Sequence, residues 1–448
     1  MKWISFPIVA SVLLTSCAHY APLPLPDPEL NAVLQQPVAA ILSQQANKID
    51  RPYLTPVKID LSAPLKPNEI AIIAVLSNPD LKAMRTRAGV SDAQVFAAGL
   101  LPDPSFSFGI DHILSGPDPV DNIAGALGFS LNALRTRSVL REQAQQQALQ
   151  VRLDLAWAEW QTAGNARLQA VRILDLRKAL TLATASEKSA QSLLSRYLRA
   201  AGRGDIPADQ VQSSRLSAMD AITARQAAQT NLVTAEYELR RLLGLPPEYA
   251  LEIAPQPLPQ PALSSPTLFA LALATRNDLQ ALQAGYNAQE AAVRKAVLDQ
   301  FPALDLTITG TRDTGRNKLL GPNISMTLPL WNRNRGGIAI ERATREALRA
   351  EYDARLFQMR ADIAAAVAGL DVARQQRTVL LDGLPEVEKF AAATRRAATR
   401  GDLALATAET AEQTVRDRHL LLIASEQAIA EQSIALELLV GAPQEAWK

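Results

Sequence analysis

Cys17, His19, His112 and His419 are the side chains of this 448-residue chain best suited to metal ligation or thiol chemistry, and they are scattered. No two histidines stand at the spacing of a zinc site, and a lone cysteine cannot close a disulfide within the chain. No nucleophile elbow or phosphate-binding glycine loop occurs. These patterns argue against an enzyme and assign no metal or cofactor. What remains is chemistry of charge. Arg135 and Arg137 form one close pair and Arg333 and Arg335 another, while Arg203-Gly204-Asp205 returns as Arg400-Gly401-Asp402. The overall balance, 46 basic against 45 acidic residues, gives no field that would attract nucleic acid.

Cys17 gains meaning from what precedes it. Lys2 is followed by an apolar run, Trp3 to Leu14, of signal-peptide size and too short to span a bilayer. Leu14-Thr15-Ser16-Cys17 resembles a bacterial lipoprotein signal, which predicts a leader over 1–16 and acylation of Cys17 by chains such as palmitate. Each buried CH₂ contributes about 0.8 kcal/mol, so several chains anchor firmly. Ala18, rather than Asp, resembles the pattern of lipoproteins sent to the outer membrane. Prolines 22, 24, 26, 28, 52, 56, 64 and 67 predict an extended strap over 17–67, outside any core.

The elements that must position the charged motifs are written twice. Arg203-Gly204-Asp205-Ile206 recurs as Arg400-Gly401-Asp402-Leu403, and Leu242-Leu243-Gly244 recurs as Leu439-Val440-Gly441. Both recurrences share one offset, 400 − 203 = 441 − 244 = 197. Asn78-Pro79-Asp80-Leu81 matches Arg276-Asn277-Asp278-Leu279 at 198, and Leu101-Pro102 matches Phe301-Pro302 at 200. So long a period argues for duplicated half-molecules rather than a solenoid. The halves are expected over 68–248 and 266–448, joined by a Pro-rich linker over 249–265.

Each half predicts a helix, two strands and a long helical hairpin. Four segments, 104–111, 124–132, 303–311 and 322–330, alternate apolar with small or polar residues, as in Phe106, Phe108 and Ile110 against Ser105, Ser107 and Gly109. That alternation suits a membrane barrel and equally a half-buried soluble sheet. From Thr136 to Arg203 no proline interrupts 203 − 136 + 1 = 68 residues, a helix of about 100 Å. Leu149, Leu153, Ala156, Trp157 and Trp160 form a narrow packing stripe, with Arg141, Glu142, Arg152, Glu159 and Arg167 on other faces. Gly202 to Asp205 then reads as a tight reversal, with Asp205 as the N-cap of a returning helix that carries Pro207 in its first turn.

From about Asn68 to Trp447 this plan resembles the TolC family of outer-membrane factors. The motifs that carry the likeness are Asn78-Pro79-Asp80-Leu81, Leu101-Pro102, the segment Thr327 to Gly337, the two Gly-Asp tips and the two Leu-Leu-Gly-type helix ends. The resemblance implies a mainly α fold with a small β part. Long antiparallel coiled-coil helices would form a periplasmic tunnel, and each protomer of a homotrimer would give four strands to one transmembrane β-barrel. It implies a passive outer-membrane channel of a tripartite efflux system, partnered by a periplasmic adaptor and an inner-membrane pump. The adaptor would dock on Arg203, Gly204, Asp205, Arg400, Gly401 and Asp402. The chain departs from the family at the gate, where aspartates six and nine residues past the second tip glycine are replaced by Thr407 and Thr410. Asp209, Glu409 and Glu412 lie nearby and are the candidate gate acids. Arg135, Arg137, Arg333 and Arg335 are candidate contacts to outer-membrane lipid headgroups. The string Leu328 to Gly336 resembles the heavy-metal efflux branch; drug or organic-solute efflux is the alternative, and a periplasmic coiled-coil lipoprotein scaffold is a reading of another class.

Overall fold

A computed structural model describes residues 20–25, 27, 34, 39–116, 120–255, 257 and 264–447. The leader and Cys17 lie outside these residues. Two compact units are separated at Gln36, and among the described residues every regular element of more than one residue belongs to the second, Pro37–Lys448. In chain order these are α1 (Ala39–Asn47), α2 (Pro67–Ser77), α3 (Pro79–Gly99), β1 (Ser105–Asp111), β2 (Asn122–Ser130), α4 (Leu131–Gly202) and α5 (Ala208–Leu243). The second set is α6 (Ser265–Thr275), α7 (Asn277–Leu298), β3 (Leu304–Arg312), β4 (Lys318–Met326), α8 (Arg335–Arg400) and α9 (Leu405–Val440).

The strands form one antiparallel sheet in the order β1-β2-β3-β4. Its register sorts the alternation into faces, because directly paired residues project the same way. One row is Phe106, Leu127, Ile308 and Pro322; the next is Ser107, Ala126, Thr309 and Gly321. β4 starts and ends four residues before the span expected from alternation. The turn before it is closed early by Asp313, whose carboxylate accepts from the Asn317 amide at 2.7 Å and side chain at 2.8 Å. Pro329 has no amide hydrogen for a ladder, and the chain has left the sheet by then.

α4 runs for 72 residues, about 108 Å, and starts directly at the end of β2 rather than at Thr136. α5 and α9 each hold 36 residues and end at left-handed glycines, Gly244 at φ 61° and Gly441 at φ 76°. Each end docks on the break between two short helices. Asn78 Nδ2 donates to Leu242 O at 3.0 Å, and Arg276 Nη1 donates to Leu439 O at 2.9 Å, carbonyls that stand 439 − 242 = 197 residues apart. Close approach explains the first glycine, since a Cβ on Gly244 would stand 2.4 Å from Ser77 O.

Residues 39–65 correct the expectation of a strap outside the core. Leu42, Ala46, Ile49, Leu54, Ile59 and Leu65 are buried with α2, α4 and α5 in one cluster. Leu65 also exchanges backbone bonds with Glu252 and Ala254, both 2.9 Å, pinning the strap to the linker. The prolines break helices here but leave apolar residues free to point inward. A second cluster joins α6, α8 and α9 around Leu268, Met359, Ile363 and Leu436. The expected stripe on α4 is shifted: Trp160 and Ala148 are buried, Leu149 is exposed, and Glu159 is buried rather than solvated.

At Gly164 α4 and α9 are in close contact, since a Cβ there would meet Leu438 Cδ2 at 2.3 Å. Gly164→Val should therefore destabilise the protein by about 1–3 kcal/mol. Gly89→Ala, at a helical site with nothing within 4 Å, should stabilise it by roughly 0.5–1 kcal/mol. Guanidinium unfolding in detergent checks both, and equal midpoints for the two variants would contradict the assigned packing.

Candidate functional site

The sheet supplies the first feature. Phe106 is 73% exposed and Leu320 81%, with Phe108, Ile110, Ile324 and Met326 also exposed on the same face. The opposite face carries Ser105, Ser107, Thr307, Thr309 and Asn323. The outer edges of β1 and β4 have no strand partner among the described residues. An apolar face of this size in water would be costly, whereas against hydrocarbon it is favourable. Among the described residues no helix is long and apolar enough to cross a membrane.

The four candidate interface arginines separate into two kinds. Arg135 Nη2 donates to Asn132 Oδ1 at 2.5 Å and Arg135 Nη1 to Pro302 O at 3.3 Å, while Arg137 Nε donates to Gly99 O at 2.7 Å. These two tie the start of α4 to the segments that enter β1 and β3. Arg333 and Arg335 project into solvent beside exposed Trp331. Between them Asn334, at φ 50°, donates to Ala296 O at 2.8 Å and sets the start of α8.

The two hairpin tips are built alike. At the first, Gly204 lies at φ 79° and the Asp205 amide donates to Ala200 O at 3.0 Å; at the second, Gly401 lies at φ 84° and the Asp402 amide donates to Ala397 O at 3.0 Å. Each arginine holds its neighbouring aspartate, Arg203 Nε to Asp205 Oδ2 at 2.8 Å and Arg400 Nε to Asp402 Oδ2 at 2.9 Å. Asp205 is thus not the N-cap of α5. The cap is Pro207, which offers no side-chain bond, because the Gly204 turn consumes the Asp205 amide and Arg203 takes its carboxylate.

Asp209 is exposed near the start of α5. Glu409 and Glu412 instead share Arg395, at 2.9 and 2.8 Å, and Glu409 also accepts from Ser189 Oγ on α4. These acids therefore join three helices near the tips: α4, α8 and α9. His419 pairs with Glu388 at 3.0 Å and His112 with Asp121 at 2.6 Å. Among the described residues no three His, Cys, Asp or Glu side chains are grouped to hold a metal.

Residues 268–442 match the family model for outer membrane efflux protein. Over that stretch the chain is similar to outer membrane efflux proteins. The matched stretch lies in the second repeat, and the first is tied to it by the 197-residue offset. Solved structures of the same fold include the OprN outer-membrane channel, with a TM-score of 0.71 at 15% identity, covering 90% of this chain and 96% of that one. The CmeC outer membrane channel of Campylobacter jejuni matches at 0.69 and 14%, covering 84% and 85%. The MtrE outer membrane channel of Neisseria gonorrhoeae matches at 0.67 and 17%, covering 83% and 88%. No curated protein matches the chain.

Two carboxylates that the sequence alone does not mark as buried lie in this helical frame. Glu159, 1% exposed, is clamped by Arg51 Nε at 2.5 Å from the strap and Arg85 Nη2 at 2.7 Å from α3. Burial alone would raise its pKa, but the hydrogen bonds and charges of Arg51 and Arg85 outweigh burial and hold it below the usual carboxylate range. Glu437 on α9 meets Arg167 at 2.6 Å, yet there burial prevails and pushes the carboxyl up. Glu, Arg and helical spacing alone gave no signal for either, because both partners of each pair lie far off in sequence.

The two shifts act in opposite directions on stability. Glu159 stabilises the fold above the unfolded value of about 4.3 and loses that contribution as pH falls through its lower folded value. Glu437 contributes fully below about 4.3 and loses its contribution as pH rises through its higher folded value. Glu159→Gln should lower stability at neutral pH by roughly 3 kcal/mol and flatten the acid limb. Glu437→Gln should flatten the curve on the neutral side. Unfolding midpoints between pH 3 and pH 8 decide; parallel curves for wild type and Glu159→Gln would remove the clamp from the account.

Proposed function

We propose that three copies of this chain close one barrel of about twelve strands in the outer membrane, continued by the long helices as a periplasmic tunnel. The observation that carries this reading is the open-edged sheet with one apolar exposed face and one polar face. Four strands cannot close on themselves, and unpaired edges are not tolerated in lipid. A periplasmic scaffold would need its sheet's apolar face covered, and among the described residues nothing covers it.

The conduit is passive and needs an external drive. The duplicated tips, Arg203-Gly204-Asp205 and Arg400-Gly401-Asp402, are the proposed docking points for a periplasmic adaptor that links to an inner-membrane pump. Their exposure and rigid left-handed turns support that role. The gate is proposed where Arg395 gathers Glu409 and Glu412 and Glu409 reaches α4, with Asp209 at the other tip. Opening then requires these links between the hairpins to separate.

Lipid anchoring through Cys17 fits the chain's reach. Arg51 meets Glu159, 159 − 131 = 28 residues into α4 and so about 42 Å along it from the strands. The 39 − 17 = 22 residue steps from Cys17 to Ala39 can extend for about 70 Å, enough to return to the leaflet. Arg333 and Arg335, exposed beside Trp331, are the proposed headgroup contacts. Heavy-metal cations are the proposed cargo, on the Leu328 to Gly336 string alone, with drugs or organic solutes as the second reading. Deletion that raises drug sensitivity and leaves metal tolerance unchanged would reverse that order.

The deciding measurement is single-channel conductance of purified protein in planar bilayers, with the oligomer mass taken in the same detergent. A trimer that conducts, and conducts at least several-fold more as Arg395→Ala, is the expected result. A monomer without channel activity would overturn the barrel. Unchanged cation block and conductance in the Glu409→Gln, Glu412→Gln double variant would remove the gate.

A further inference from the structure

Strap, α2, α4 and α9 do not close completely on one another. Between them lies a cavity of about 440 Å³, within the size range of small-molecule sites. Tyr53 and Thr55 of the strap, Ala71 of α2, Trp160 of α4, Glu437 of α9 and Glu445 beyond it all line the space. Thr55 and Glu445 are exposed and mark its mouth, whereas Ala71, Trp160 and Glu437 are buried and mark its depth.

The walls are tied in place from several sides. Thr55 donates its amide to Asn68 Oδ1 at 3.1 Å and accepts from Asn68 Nδ2 at 2.8 Å, which clips the strap to α2. The Tyr53 and Trp160 rings meet edge to face with centroids 4.8 Å apart, and Trp160 Nε1 donates to Leu438 O at 3.4 Å. A site held this way before anything enters loses little freedom on binding.

Its charge is unbalanced. The charged side chains of the walls are Arg167, Glu437 and Glu445, one base against two acids. The Glu437 side chain is 6% exposed; Arg167 Nη1 donates to its Oε2 at 2.6 Å, and no described residue donates to its Oε1. Buried carboxylate oxygens call for donors. Burial pushes the Glu437 carboxyl up against the pull of Arg167, and Glu445 adds to the rise, so one guanidinium does not meet the demand for positive charge. The other repeat does without this acid: Glu437 corresponds to Arg240 (437 − 197) and Arg167 to Ala364 (167 + 197). Hairpin packing therefore does not itself require the pair. Beside the acids the wall is apolar, Tyr53 and Trp160 with Leu54 and Ile434.

The geometry points to a binding site for a small amphiphilic primary amine, its ammonium donating to Glu437 Oε1 beside Glu445 and its hydrocarbon body against Tyr53 and Trp160. An N–H donor is needed at Oε1, which selects against a quaternary ammonium, and the second acid selects against a neutral alcohol. The cavity's volume limits the body to about one aromatic ring with a short arm. Bound there, the amine touches strap, α4 and α9 together and stabilises the fold by binding only its native form. The site stands on the cavity alone and does not depend on the barrel, the tunnel or the gate.

Calorimetric titration of the purified full-length protein in detergent at neutral pH tests it, with 2-phenylethylamine as the probe. Saturable binding of one amine per chain is expected, with Kd on the order of 1 mM or tighter, and a raised thermal midpoint. 2-Phenylethanol and trimethyl(2-phenylethyl)ammonium should each bind at least tenfold more weakly. Glu437→Gln should weaken the amine at least tenfold and Glu445→Gln about threefold. Thr55→Trp, a change at the exposed mouth that keeps the backbone bonds to Asn68, should block entry with helical circular dichroism unchanged, and it decides the matter should Glu437→Gln fail to fold. No saturation by the amine at ten times that concentration overturns the site. Equal binding of amine and alcohol, or amine binding that survives Thr55→Trp, overturns it as well, since either places the probe in the micelle or elsewhere on the chain.

Discussion

A sheet with one apolar face, one polar face and no layer packed on either has no core of its own. Among the described residues that constraint falls on β1 to β4, whose rows alternate between Phe106, Leu127 and Ile308 and Ser107, Ala126 and Thr309. Ladder hydrogen bonds hold neighbouring strands, but they do not fix where the sheet sits. The helices do that. β2 passes into α4 without a loop, and Arg135 and Arg137 bind carbonyls at Pro302 and Gly99, so the strands inherit their positions from a helical frame whose cores lie far along α4.

That frame depends on the way each return helix ends. Gly244 and Gly441 turn the chain left-handed, and the final carbonyls of α5 and α9 receive donors from Asn78 and Arg276. Different side chains do the same work at repeat-related places, which is what duplication followed by divergence leaves when geometry rather than chemistry is retained. The strap covers α2 and α4 of the first repeat, while the C-terminal Trp447 closes the second, its Nε1 donating to Ala442 O at 3.0 Å.

Much of this was legible in the sequence because the signals are periodic. The 197-residue offset, the alternation in four strands and the absence of proline from 136 to 203 each encode regular geometry. Strand ends were less legible, since Asp313 closes its turn with a side chain that periodicity does not register. The strap misled because proline argues against helix and strand but says nothing about burial; Ile59 and Leu65 are buried in a segment that is otherwise irregular. Glu159 and Asp205 misled for a related reason. A charged residue on a helix, or one ahead of a helix, has an obvious local reading, and only tertiary partners such as Arg51 or the Arg203 turn displace it.

The buried charges solve a problem that alanine creates. Helices rich in Ala present smooth faces, and such faces pack almost equally well one turn up or down, since each alternative buries similar apolar area. A carboxylate buried on such a face admits few registers, because any slip leaves it without its cation at a penalty of several kcal/mol. Glu159 admits Arg51 and Arg85 at one level of α4, and Glu437 admits Arg167 a little further along. Gly164 lies between those two levels on α4, where Leu438 fits only against a missing Cβ. Strap, α3 and α9 are thus all indexed to the same nine residues of α4, 159–167. The hairpin tips lie some 40 residues beyond, so a slip of one turn at this level would carry Ser189 away from Glu409 as well. Register set by three buried contacts is what lets distant polar pairs meet.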